Sequence, residues 1–377
     1  MTVNVLVELS LRNIDKCFSY HVPKNFEEDI QIGIRVKVPF GKQKLEGFII
    51  GIEDTDKEDL KDIYEVIDND VILTDELLNL GKYIKQTTLC TLISAYQVML
   101  PKALKAQNKT NINKSYTKIY KLVSKEIDKT KLNDNQRTIL INIESGNNTR
   151  EELIKISSSS LKTLLSKGII EESLVENYRL KYKNNFNYPR YELTSDQKDV
   201  VHTIESSSDD VFLLHGVTGS GKTEVYMQLI EDTIKLGKTA IVLVPEISLT
   251  PQMVERFKTR FNDTIAVLHS RLSDGEKYDE YRRISKGIVK IVIGARSAVF
   301  APLKNIGIII IDEEHTNSYK QESNPKYNAI DVAIKRKDYH KAKVVLGSAT
   351  PSLESYSRTL KNIYHLVKLE KRANNKP

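Results

Sequence analysis

The eight residues GVTGSGKT at 216–223 constrain this chain more than any other feature of it. They fit the pattern G-x-x-x-x-G-K-[ST], follow an apolar run (Val211 to Leu214) and precede a helical pattern, EVYMQLIEDTIKLG. Glycines let such a loop curl until several backbone N–H groups converge on one anion. The helix that follows adds the positive end of its dipole. Gly216, Val217, Thr218, Gly219, Ser220, Gly221, Lys222 and Thr223 are therefore expected to cradle a nucleoside triphosphate. Lys222 would reach the β- and γ-phosphates, and the Thr223 hydroxyl would ligate Mg2+.

A loop of this kind needs an acidic partner, and IGIIIIDEEH at 306–315 supplies one at the end of an apolar strand. Asp312 would hold Mg2+, commonly through water, and Glu313 would orient or deprotonate the attacking water. The runs VFLLHG, AIVLVPE, TIAVLHS, VKIVIGA, IGIIIIDEE and KVVLGSAT are short, apolar and rich in Val and Ile, with helical stretches between several of them. Continuous apolar strands alternating with helices predict a parallel sheet covered on both faces. This α/β lobe is expected to span 186–377.

The rest of the chain reads differently. With 377 residues, two to four domains are expected at roughly 100–200 residues each. Residues 1–105 read as a small, mostly β unit. Val3, Val5, Val7 and Leu9 alternate as in a half-buried strand, and RVKVPFG (35–41) and KLEGFIIGI (44–52) read as two strands joined at Gly41. A helical pattern, DELLNLGKYIKQ, follows, and Pro101 marks the boundary. A Lys- and Asn-rich linker covers about 105–115. From 116 to 183, NDNQRTILINI with Asn133 as cap, then EELIKI, SSSSLKTLLSKGII and an extended piece give the order of a winged helix or of a plain helical spacer. The linker and this unit together make up 106–185.

The net charge of +7 suits a polyanionic partner, because Lys and Arg that neutralise phosphates release counterions, although a Lys-rich composition alone gives the same balance. Cys17 and Cys90 form no CxxC pair, so no metal site is read from them, and two free thiols suit a reducing cytoplasm. The apolar run at 306–311 is shorter than the ~20 residues a membrane span needs, and no membrane association is expected.

DEEH at 312–315 resembles motif II of helicase superfamily 2, and three further segments match that pattern in order. Gln197, upstream of the loop, stands where these enzymes often read adenine. PEISLTPQ (245–252) resembles motif Ia, and GSATPS (347–352) resembles motif III, which connects the ATP site to the DNA track. Ser348 and Thr350 carry small hydroxyls that can bridge to His315 or to the acids. Ser248, Thr250, Arg296 and Ser297 lie in loops after strands, where hydroxyls, amides and Arg can grip a DNA backbone without reading its sequence.

Within that superfamily the chain resembles the primosomal protein N′ family. HGVTGSGKTEVY, VLVPEISLTPQ, VLHSRLSDGE, IVIGARSAVFAPL, IDEEHTNSYKQE and VLGSATPSLES carry the resemblance in the lobe. CFSYHVP, RVKVPFG and YIKQTTLCTLISAYQVMLP carry it in the first unit, and it is weakest over 105–185. The resemblance implies an ATP- and Mg2+-dependent 3′-to-5′ DNA helicase that recognises stalled forks and D-loops. Such a helicase starts reloading of the replicative helicase with other primosome proteins and single-strand DNA-binding protein. It further implies that the first unit receives the 3′ end of the leading strand around Phe18, Ser19 and Tyr20, and that the middle unit is a winged helix. An aromatic-rich loop with Tyr319, Lys320, Gln321 and Tyr327 would couple DNA binding to hydrolysis, its rings stacking on unpaired bases.

Three departures from the family pattern bear on function. Ser19 replaces an Asp between the aromatics, which weakens 3′-end recognition. Ile330 stands before Asp331 where Arg is common. The sequence stops at Pro377, before the second motor lobe, its arginine finger and the family's zinc-binding cysteines, so no zinc is expected here. Comparable fingers contribute about 10³–10⁵ in rate, and the chain is accordingly expected to bind ATP–Mg2+ and DNA, to hydrolyse slowly or not at all, and not to unwind. Two other readings are open. One is a fork-binding module without catalysis. The other is a different superfamily 2 translocase, such as a restriction-enzyme motor subunit, against which RVKVPFG and GARSAVFAPL argue.

Overall fold

A computed structural model describes residues 1–9, 15–54, 59–107, 112–124, 132–180 and 190–373. Part of the expected linker (108–111) and the expected boundary at 185 lie outside the described residues. The chain forms two compact units, one of residues Met1–Ile112 together with Tyr182–Pro377, the other of Asn113–Lys181. The amino-terminal piece and the α/β lobe, read from the sequence as separate domains, therefore share one unit.

The amino-terminal piece holds β1 (Thr2–Val7), β2 (Phe18–His21), β3 (Arg35–Phe40), β4 (Gln43–Glu53) and β5 (Glu65–Val66), followed by α1 (Asp75–Thr88) and α2 (Leu92–Val98). The strands form an antiparallel sheet in the order β2-β1-β4-β3-β5. The turn expected at Gly41 is present: Phe40 pairs with Gln43, and Gly41 takes φ +57. Alternation along β1 sends Val3, Val5 and Val7 into one apolar cluster with Tyr20, Ile34 and Val38. Leu6, on the opposite face, joins Phe48 and the helices α1 and α2.

The second unit contains β6 (Ser115–Leu122), α3 (Asp134–Glu144), α4 (Arg150–Ser166) and β7 (Ile170–Asn177). β6 and β7 pair antiparallel, and both helices pack Ile139, Leu140, Leu153 and Leu164 against Tyr120. Asn133 caps α3 through a reciprocal bond with Gln136, as the sequence predicts. Ser157 breaks α4 with extended backbone (φ −168, ψ 116), and its hydroxyl accepts from Ser160 N at 3.2 Å, a cap for the second half. EELIKI and SSSSLKTLLS are thus two helical pieces, in the order the sequence implied.

The lobe runs α5 (Ser195–Ser206), β8 (Val211–Gly216), α6 (Lys222–Lys235), β9 (Thr239–Leu243), α7 (Pro251–Phe261), β10 (Ile265–Leu268), α8 (Asp274–Ser285), β11 (Ile291–Gly294), β12 (Ile306–Asp312), α9 (Ala329–His340), β13 (Lys343–Ser348), α10 (Leu353–Leu360) and β14 (His365–Leu369). Its seven strands are all parallel, in the order β10-β11-β9-β12-β13-β8-β14. The isoleucine run of β12 is divided by the pleat: Ile309 and Ile311 enter one core, Ile308 and Ile310 the other. The first of these cores is continuous with Leu77, Leu80, Ile84 and Tyr96 of α1 and α2. The amino-terminal helices thereby cover one face of the parallel sheet, and β8, β12 and β13 carry their loops to one common edge.

Candidate nucleotide and DNA site

Residues 216–223 bridge the end of β8 and the start of α6. Gly221, the residue before α6, takes φ +82, and a Cβ there would meet Gln197 Nε2 at 2.3 Å. Both the left-handed backbone and the missing side chain are needed at that position. Lys222 Nζ donates to Gly216 O at 2.9 Å, folded back along its own loop. Val217, Thr218 and Gly219 are exposed, Ser220 is buried, and Thr223 is half-buried at the first turn of α6. Gln197 is buried. Its Nε2 donates to Ser220 O at 2.9 Å and its Oε1 accepts from Thr194 N at 3.0 Å. The residue expected at adenine therefore also braces the loop.

β12 and β13 run side by side, so Asp312 lies opposite Gly347 and the two motifs meet. Tyr226 of α6 donates its hydroxyl to Asp312 Oδ1 at 2.9 Å. Burial pushes the Asp312 carboxyl up; the Tyr226 bond opposes this, Glu313 adds to it, and the Lys222 charge pulls back down. Glu313 sits at φ +48, a left-handed conformation uncommon for Glu and of the kind that collects at functional sites. Ser348 lies 2.8 Å from His315 Nδ1 and accepts from Thr350 N at 3.0 Å. The expected bridge is thus made by the Ser348 hydroxyl, while Thr350 enters through its backbone.

The residues expected on DNA are placed less uniformly. Thr250 caps α7, accepting from Met253 N at 3.3 Å, and Ser248 closes a short turn before it. Ser297 and Lys320 are exposed. Arg296 points back at the loop after β12, donating to Lys320 O at 2.8 Å. Ser19 donates to Asn4 Oδ1 at 3.0 Å, and Phe18 meets the edge of Phe40 at 5.1 Å. Three aromatic assignments need correction. Tyr319 and Tyr327, expected to stack on bases, are 1% and 3% exposed and present no ring for it, and Tyr20, expected at the 3′ end, is 5% exposed. Tyr20 donates to Pro39 O, and Tyr319 lies within hydrogen-bonding distance of Asp312 O (2.5 Å) and Leu243 O (3.1 Å). A tyrosine whose hydroxyl finds a backbone carbonyl can be buried whole.

Several further side chains join these elements, among them Glu314 of DEEH and Glu224 of HGVTGSGKTEVY, to which the motifs gave no role. Glu314, 3% exposed, accepts from Ser352 N (2.7 Å), Ser352 Oγ (3.0 Å) and Ser355 Oγ (2.9 Å), tying the strand-end acids to the start of α10. Glu224 of α6 pairs with Arg256 and Arg260 of α7, linking the phosphate loop's helix to the helix after Thr250. Arg336 of α9 joins Glu76 of α1 and also donates to Val299 O (2.6 Å) and Ala301 O (3.0 Å). Among the described residues no helix is long and apolar enough to cross a membrane.

Comparison with known proteins agrees with this division. The family model of the PriA 3′ DNA-binding domain matches residues 4–101, and that of the DEAD/DEAH box helicases matches residues 194–359. The replication restart protein PriA of Bacillus subtilis is 39% identical over 451 aligned positions, covering 99% of this chain and 56% of the relative. That of Chlamydia muridarum is 36% identical over 388, covering 96% and 51%. That of Haemophilus influenzae is 35% identical over 383, covering 96% and 51%. The chain spans about half the length of the curated relatives it matches. With one part matching the PriA 3′ DNA-binding domain and another the DEAD/DEAH box helicases, this chain is similar over nearly its whole length to the amino-terminal portion of the PriA replication restart proteins.

Proposed function

We propose that this chain is the DNA-recognising and nucleotide-binding portion of an ATP-dependent 3′-to-5′ DNA helicase. That helicase would act in the cytoplasm, recognise stalled forks and D-loops, and start primosome assembly for replication restart. The observation that carries the reading is the meeting of the 216–223 loop with Asp312 and Glu313 at one sheet edge, in a unit that also contains a PriA-type DNA-binding domain. The donor set fits ATP with Mg2+: a glycine-rich loop at a helix N-terminus, a lysine and hydroxyl at its end, and a half-buried carboxylate opposite. Thr223 and Asp312 would hold the ion, whose chemistry is to neutralise charge growing on the β- and γ-phosphates. Lys222 leaves Gly216 O for the phosphates. Glu313 orients the water that attacks, and Gln197 holds the loop in shape beside the base. His315 and Ser348 carry the change at the γ-phosphate to the segment beginning at Thr350.

Forked and single-stranded DNA are the proposed partners, with single-strand DNA-binding protein and other primosome proteins acting on the longer protein. Half-buried Phe18 and Ser19 at the rim of the first sheet, half-buried Ser248, and exposed Thr250, Ser297 and Lys320 at the lobe's loops are the DNA-facing candidates that remain accessible. The test is fluorescence anisotropy with forks whose leading-strand 3′ end is either free at the branch or moved away from it. Tighter binding to the free end, lost on deletion of residues 1–105, supports the reading. Equal binding to both forks contradicts it.

A further inference from the structure

Asp312 is gripped by the last residue of the HGVTGSGKTEVY segment, to which the phosphate-loop pattern gives no role. Tyr226 lies one turn into α6, four positions after Lys222 and three after Thr223, and is completely buried. Its hydroxyl meets Asp312 Oδ1 at 2.9 Å. The same hydroxyl crowds β13: a Cβ at Gly347 would lie 1.6 Å from it, and 3.5 Å from Asp312 Oδ1. One oxygen atom is thus wedged between the phosphate-loop helix, the acid at the end of β12 and the strand that continues into Ser348. Phenylalanine would fill the ring space without a hydroxyl that has to be desolvated. A buried hydroxyl is favourable only where it has a partner, and here that partner is the carboxylate.

We propose that Tyr226 is a positioning residue for the divalent-cation site: by tying Asp312 Oδ1 to α6, it holds the carboxylate in the one orientation that serves a cation beside Thr223. The proposal rests on the assignment of Asp312 to Mg2+. Because Thr223 and Tyr226 belong to one helix, the two groups that would define the cation's place move as one body. Gly347 is then the residue that leaves room for the arrangement, which gives it a reason distinct from the turn chemistry of the residues that follow it.

The experiment is a Mg2+ titration of fluorescent ATP-analogue binding, with Mn2+ binding read by electron spin resonance, for the wild-type chain, Tyr226→Phe, Asp312→Asn and the double variant. Thermal unfolding is recorded for each. Tyr226→Phe is expected to raise the half-saturating Mg2+ and Mn2+ concentrations roughly tenfold, the scale of a hydrogen bond to a charged group, while metal-free analogue binding is unchanged. In the Asp312→Asn background it is expected to add nothing. Superimposable Mg2+ titrations of wild type and Tyr226→Phe overturn the proposal, as does an equal loss of metal-free binding, which marks a packing role. If Asp312→Asn is silent as well, the assignment of Asp312 has failed, and the proposal falls with it. If Tyr226→Phe does not fold, wild-type protein labelled with ¹³C at tyrosine Cζ replaces it. A buried tyrosine resonance that moves on adding Mg2+ to the nucleotide complex, and does not move in Asp312→Asn, supports the proposal; an unmoved spectrum overturns it.

Discussion

Replacing Glu76 by Ala tests how the amino-terminal helices are fixed to the motor lobe. The Arg336 side chain is fully buried, and its guanidinium makes four bonds: Nε to Glu76 Oε1 at 2.6 Å, Nη2 to Glu76 Oε2 at 3.1 Å, and Nη1 to Val299 O and Ala301 O at 2.6 and 3.0 Å. Glu76 supplies two of the four bonds and the only formal negative charge among them. Without it a cation stays in a site that water does not reach, held by two carbonyls. Breaking a buried pair from one side costs about 3–5 kcal/mol, because the remaining charge is uncompensated. Two favourable carbonyl contacts persist, so a loss near 3 kcal/mol is expected, measured by urea unfolding followed by circular dichroism. Removing both partners (Glu76→Leu with Arg336→Met) eliminates the stranded charge and should cost clearly less than the sum of the single changes. A Glu76→Ala variant within about 0.5 kcal/mol of wild type, the usual range of a neutral surface change, would refute the argument, as would simple additivity.

Further outcomes follow from the same structure. Glu76 also has a pH signature. Burial alone would raise its carboxyl, but the His340 imidazole and the Arg336 charge bring it down to about 2 from an ordinary 4.5. The unfolded chain therefore takes up the proton first, so the stabilisation is complete above about pH 4.5 and is lost as pH falls toward 2; Glu76→Gln should flatten the stability profile in that window. Asn133→Ala removes one half of the α3 capping box and should lower the stability of the second unit by about 1 kcal/mol, read by hydrogen exchange of α3 amides. Glu314→Ala strands Ser352 N and two serine hydroxyls at the start of α10; amide exchange should speed in that helix while α3 is unchanged.

Much of the lobe was legible because its signals are local. Each apolar run of the sheet is bounded by a turn or cap, and in the second unit the Asn133 cap was equally local. Glycine pattern and strand–loop–helix order located the phosphate loop without tertiary information. What escaped detection was long-range. Nothing near Glu76 announces that its partner is Arg336, so the joining of the first 105 residues to the lobe was invisible. Tyr226 reads as one more member of an apolar helix face, since its hydroxyl acquires meaning only when β12 lies beside α6. Tyr319 and Tyr327 misled for the converse reason: tyrosines among Lys, Gln and Asn resemble a wet loop, yet their rings turn inward, Tyr327 against Phe300 at 4.9 Å. The cap role of Thr250 at the start of α7 is a local signal too, and its exposed hydroxyl stays compatible with the expected DNA contact.

The central claim is that 216–223 and Asp312 form one nucleotide site. Its most direct test is equilibrium binding of ATP to this chain at fixed Mg2+, beside Lys222→Ala and Asp312→Asn. Saturable, Mg2+-dependent binding is expected in the wild type, lost in Lys222→Ala and stripped of its Mg2+ dependence in Asp312→Asn. Binding that survives Lys222→Ala unchanged, or that ignores Mg2+ from the outset, would contradict it.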